Sequence, residues 1–91
     1  MTRKEIVEWL SSSKDRTEPY TPLVQMVCVF EDETETTEVV FAVPINWLGQ
    51  KLNMTWRQLQ DWLRNEYTSD DSQQVLERAV EENQLAFWKI N

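Results

Sequence analysis

The spacing of apolar residues changes along this chain, and each change marks an element. Ile6, Val7, Trp9 and Leu10 recur at helical intervals with Arg3, Lys4, Glu5 and Glu8 between them, which predicts an amphipathic helix over Arg3 to Ser12. Thr2 ahead of it and Glu5 three residues later fit a capping box. The polar run SSSKDRTEPYTP has two prolines and no periodicity and reads as a loop. From Leu23 to Phe30 the pattern switches to period two, with Val24, Met26, Cys28 and Phe30 on one face and Leu23, Gln25, Val27 and Val29 on the other. Both faces are mainly apolar, so this strand is expected to be central or covered on both sides. A second strand, roughly Glu38 to Val43, follows the connector EDETETT as the other arm of an antiparallel hairpin, and Pro44, with no N–H for the ladder, ends it.

Helical spacing then returns. Pro44 suits a first helical turn, and Leu48 and Leu52, four apart, place a short helix from Ile45 to Leu52. Asn53 tolerates the left-handed backbone of a tight corner. Thr55 and Gln58 match a capping box for the next helix, in which Leu59, Trp62 and Leu63 face inward and Arg57, Gln60, Asp61 and Arg64 face water. Beyond Tyr67 another helix is expected, opened by Thr68, Ser69 and Asp70 and packed through Val75, Leu76, Ala79 and Val80, with Glu77, Glu81 and Glu82 outward beside Arg78. Gln84 to Ile90 alternates again, which predicts a terminal strand. The order α-β-β-α-α-α-β in a single domain over residues 1–91 specifies an α+β fold, a small three-stranded antiparallel sheet covered by helices.

The stretch at about 45–66 resembles the bacterial helix-turn-helix motif. Gly49 takes the small position of the first helix, Leu48 and Leu52 its core positions, Asn53 the turn, Met54 the apolar residue after it, and Leu59 and Trp62 the second-helix core. The resemblance covers about 20 residues, and a packed helical corner satisfies much of the same pattern. It implies a second helix that enters the major groove, with Thr55, Trp56, Arg57 and Gln58 at base edges or phosphates and Gln60, Asp61 and Arg64 behind them. Arg57 and Gln58 suit guanine and adenine. A dimer is implied too, because one such helix seldom supplies enough contacts.

Composition pulls the other way. The 91 residues carry 16 acids against 9 bases, a formal charge of −7, which disfavours phosphate backbones and anionic membranes. Between Pro44 and Asn65 the charges are Lys51, Arg57 and Arg64 against Asp61, a local excess of cations too small to neutralise many phosphates. The chain has no histidine, which removes the commonest general base and the usual zinc ligand, and its single cysteine, Cys28, sits in an apolar run. Asp32, Glu33, Glu35 and Glu38 are close in sequence, but the glycine of a calcium loop is missing, so no metal or cofactor is expected. No apolar run reaches membrane-spanning length, and cytoplasmic residence is the expectation.

These features favour a small acidic, non-enzymatic regulator or adaptor that binds a protein with a basic surface, one version being an inhibitor of a nucleic-acid-binding protein. The expected contact residues are Trp56 as aromatic anchor, Glu77, Glu81 and Glu82 on the last helix, and Asp32, Glu33 and Glu35 at the hairpin tip. The alternative is a helix-turn-helix DNA-binding regulator, possible as a homodimer, which reads sequence through Thr55, Trp56, Arg57, Gln58, Gln60 and Arg64.

Overall fold

Two nine-residue strands, β1 (Leu23–Glu31) and β2 (Thr36–Pro44), pair antiparallel from Leu23 opposite Pro44 to Glu31 opposite Thr36. The last strand, β3 (Phe87–Ile90), joins the far side of β2, with Phe41 opposite Trp88. The sheet order is therefore β1-β2-β3. These observations come from a computed structural model that describes residues 3–12, 22–31 and 33–91. Thr2 of the expected first cap, most of the polar loop, and Asp32 lie outside the described residues.

The fold is the expected α+β arrangement of three antiparallel strands and helices. The position of β1 is not. It is an edge strand, and the central one is β2, whose Val39, Phe41 and Val43 are fully buried. Among the described residues only one face of β1 is covered, through Met26, Cys28 and Phe30, while Leu23 and Val27 are exposed. The valine-rich outer face of β1 therefore does not mark a strand buried on both sides. Two further boundaries move. β2 begins at Thr36, which places Glu38 within the ladder opposite Val29, and β3 begins at Phe87 because Ala86 only donates its N–H to the Ala42 carbonyl.

The helices α1 (Arg3–Ser12), α2 (Ile45–Leu52), α3 (Trp56–Asp61) and α4 (Ser69–Glu81) bury their apolar stripes in one cluster with this face of the sheet. Ile6 and Leu10 anchor α1, and the Trp88 indole N–H donates to the Leu10 carbonyl at 2.8 Å while its ring packs against Trp9. Val75, Leu76 and Ala79 anchor α4, as their spacing predicts. Ser72 is buried beside them, its hydroxyl donating to the Ser69 carbonyl at 3.0 Å, so the polar group is satisfied within its own turn. Thr68 and Asp71 close a reciprocal capping box at the start of α4.

After α3 the chain continues as a π-helical stretch, Trp62–Glu66, where the sequence suggests one continuous α-helix. Trp62 and Tyr67 are five apart and would diverge on an α-helix, but the wider turn aligns them. The Tyr67 N–H donates to the Trp62 carbonyl at 3.1 Å, and their rings pack with centroids 5.4 Å apart.

Candidate functional site

Local sequence builds the corner between α2 and α3. Asn53 adopts φ 52° and ψ 48°, the left-handed conformation expected of it, and its N–H donates to the Gln50 carbonyl. The next N–H, from Met54, reaches back to the Gly49 carbonyl at 3.0 Å, closing the end of α2. Thr55 then caps α3: its hydroxyl accepts from the Gln58 N–H at 3.3 Å, and the Gln58 side-chain oxygen accepts from the Thr55 N–H at 2.9 Å. Leu48 and Leu59 are buried beneath the corner, and Trp62 is nearly so. The helix-turn-helix-like packing positions are therefore occupied as the pattern requires.

The outward side of α3 is bare. Thr55, Trp56, Arg57, Gln58, Gln60, Asp61 and Arg64 are all exposed, and Trp56 leaves 59% of its surface in water, more than any other large apolar residue described. Beside Trp56 an open cleft of about 550 Å³ runs between α2 and the start of α3. It is lined by the amide residues Asn46, Gln50 and Asn53, by Thr55, and by apolar Ile45, Met54 and Leu59, with Gly49 among them. Among the described residues no charged side chain lines it. Such a surface can hydrogen-bond neutral polar groups and bury an apolar one, but it offers no counter-charge to an anion.

The amides line the cleft because Asn46, Gln50 and Asn53 recur at intervals of four and three along one side of α2. That spacing is visible in the sequence, where the leucines of the neighbouring stripe draw attention away from it. The role of Gly49 is also narrower than the motif implies. A methyl group built there would lie 3.6 Å from the Met54 carbonyl oxygen and 3.9 Å from a Leu59 methyl, ordinary contact distances, so the helices do not cross closely enough to demand glycine.

The acidic candidates do not assemble around Trp56. Glu82 lies on another flank of α2, where one of its carboxylate oxygens pairs with the Lys51 ammonium at 2.7 Å and accepts from the Trp47 indole at 3.3 Å. The Lys51 hydrogen bond, helped by Trp47, holds the Glu82 carboxyl below its ordinary value despite some opposing desolvation. Glu82 is thus an engaged bridge between α2 and the end of α4. Glu81 is exposed, whereas Glu77 is half-buried and not fully outward as its spacing suggested. Glu33 and Glu35 are exposed at the hairpin tip, and that end of the sheet meets the opposite end of α4, where Ser69 and Asp70 face Glu31. The 13 residues of α4, at about 1.5 Å each, separate the tip from Glu81 and Glu82 by roughly 20 Å. Three distinct surfaces result: the cleft at Trp56, the end of α4, and the acidic hairpin end.

One residue named for DNA reading also acquires another duty: the Gln58 side-chain oxygen is committed to the cap of α3. Lys51, counted in the local excess of cations, pairs with Glu82. Arg57 and Arg64 are exposed with Asp61 between them, and Lys51 is exposed beside Glu82. Among the described residues no cluster of three or more metal-ligand types is close enough to hold an ion, every buried side-chain nitrogen or oxygen has a partner, and no helix is long and apolar enough to cross a membrane. No family description, curated protein or solved structure matches the chain.

Proposed function

We propose that this chain is a non-enzymatic regulator or adaptor of the cytoplasm that docks a protein partner at the cleft beside Trp56. The observation that carries this reading is the pairing of a largely exposed tryptophan with a neutral, amide-lined cleft of about 550 Å³. Tryptophan is enriched among residues that dominate binding energy, because a rigid aromatic surface is desolvated at small entropic cost. The carboxamides beside it suit the backbone or uncharged side chains of a peptide segment. The net charge of −7, together with exposed Glu33 and Glu35 at the hairpin end and exposed Glu81 at the end of α4, steers approach toward a partner whose surrounding surface is basic. Charge selects and orients the partner in this account, and the cleft holds it.

The test is affinity capture at moderate salt with the unmodified chain, Trp56→Ala and the pair Glu77→Lys with Glu81→Lys. A basic protein recovered stoichiometrically by the unmodified chain, lost with Trp56→Ala and reduced by charge reversal, is the expected result. Identical recovery by all three rejects the reading.

One observation favours a second reading, the DNA-binding alternative: the entire outward side of α3 is solvent-facing, as a groove-reading helix must be. Against it stand the pairing of exposed Lys51 with Glu82 and the use of Gln58 as a cap. Salt-sensitive binding to duplex DNA, weakened by Arg57→Ala and Arg64→Ala, would establish it. No binding at low salt removes it.

A further inference from the structure

The sheet is covered by helices on one side, and its other side is unusual in composition. Alternate positions there bring together Leu23, Val27 and Val29 of β1, Val40 and Ala42 of β2, and Phe87 of β3. Val27 lies beside Val40, and Ala42, itself only 7% exposed, lies between Gln25 and Phe87, so the apolar positions cluster around Val27, Val40 and Phe87 with Gln25 as a polar interruption. An antiparallel sheet with one wet face ordinarily places polar residues on that face. Here Leu23 and Val27 are 40% and 37% exposed, two of the three large apolar residues most open to water among those described.

We propose that this face packs against the same face of a second copy of the chain, forming a symmetric homodimer independent of the Trp56 cleft. The distribution of charge selects the occupant. Lys89 stands at the β3 margin beside Val40, while Glu38 lies two residues along β2, its carboxylate accepting from the Asn91 side chain at 3.1 Å. A two-fold axis lying in the interface and running diagonally past Val40 sets Lys89 of each copy against Glu38 of the other. Each ion pair then occurs twice, as a self-complementary interface requires. The strands of the two sheets cross steeply in this arrangement, as in orthogonal sheet packing. A uniformly basic partner would meet Lys89 as a repulsive group, and a uniformly acidic one would meet Glu38 and Glu31.

Strand dimensions set the strength expected. Three strands measure about 14 Å across, and two sheets that cross steeply overlap over about that width in both directions. That footprint is well below a standard stable interface, so a weak, reversible dimer with dissociation no tighter than the order of micromolar is expected.

Sedimentation velocity on the full chain, across roughly a hundredfold concentration range centred on micromolar, tests the proposal. The expected mass rises with concentration from 10.9 kDa toward twice that value. Val40→Lys should weaken association at least tenfold, with circular dichroism confirming the fold, and Val27→Lys at the edge strand is the substitute should Val40→Lys unfold. Lys89→Glu and Glu38→Lys should each weaken association, and the two together should restore it. A wild-type chain that stays monomeric throughout, whatever else covers this face, overturns the proposal. So does a dimer indifferent to Val27 and Val40, or a double charge reversal that fails to recover association.

Discussion

Gly49→Ala should make this protein more stable, although the position is the glycine of a helix-turn-helix-like pattern. Gly49 is the fifth of eight residues in α2, and its φ is not positive, so nothing in its backbone requires glycine. Glycine inside a helix costs about 0.8–1.0 kcal/mol relative to alanine, largely through the greater freedom of the unfolded chain. The new methyl would meet the Met54 carbonyl oxygen at 3.6 Å and a Leu59 methyl at 3.9 Å, close enough for dispersion contact and too far for repulsion. The helical term therefore survives, and a gain of about 0.5–1 kcal/mol is predicted, or a melting point higher by about 2–8 °C for a domain of this size. Thermal unfolding followed by circular dichroism, with urea midpoints as a second measure, reads it directly. Gly49→Leu supplies the opposite sign, since a larger side chain must enter the cleft or displace Leu59. A loss of stability in Gly49→Ala would show that α2 and α3 cross more closely than described, and the reasoning about this corner would fail.

Trp88→Phe removes the donor to the Leu10 carbonyl and part of the ring contact with Trp9, so it should destabilise by about 2 kcal/mol, seen as a lower urea midpoint at unchanged slope. The Glu82 carboxyl should titrate below the ordinary glutamate range by NMR because Lys51 and Trp47 favour its charged form, and Lys51→Ala should move that titration upward. Since its folded value is depressed, the stabilisation it contributes is complete above the ordinary carboxylate range and disappears as pH falls through the lowered value.

Most element positions were legible because local chemistry specifies them. The left-handed Asn53, the Thr55–Gln58 cap and the leucines of α2 are signals contained within a few residues, and each appears in its expected role. The placement of β1 was not legible. Periodicity reports which residues alternate but not which strand receives a second neighbour, and an apolar outer face looks the same whether helices, another strand or another molecule covers it. The site divides in the same way. Trp56 is exposed, while Glu82 is drawn into a bridge with Lys51 and Trp47, residues more than thirty positions earlier. The amide-lined wall of the cleft lay in the spacing of Asn46, Gln50 and Asn53, yet only the fold of the corner shows that it opens beside Trp56. Long-range pairings of this kind leave no local trace.

The central claim is that Trp56 and its cleft receive a protein. A photo-crosslinking amino acid, benzoylphenylalanine, in place of Trp56, with a control in place of exposed Gln74 on α4, tests it in cells that make the chain. Irradiation should give one dominant protein adduct from position 56 and no matching adduct from position 74. Crosslinks to nucleic acid alone, or the same scattered adducts from both positions, would contradict it.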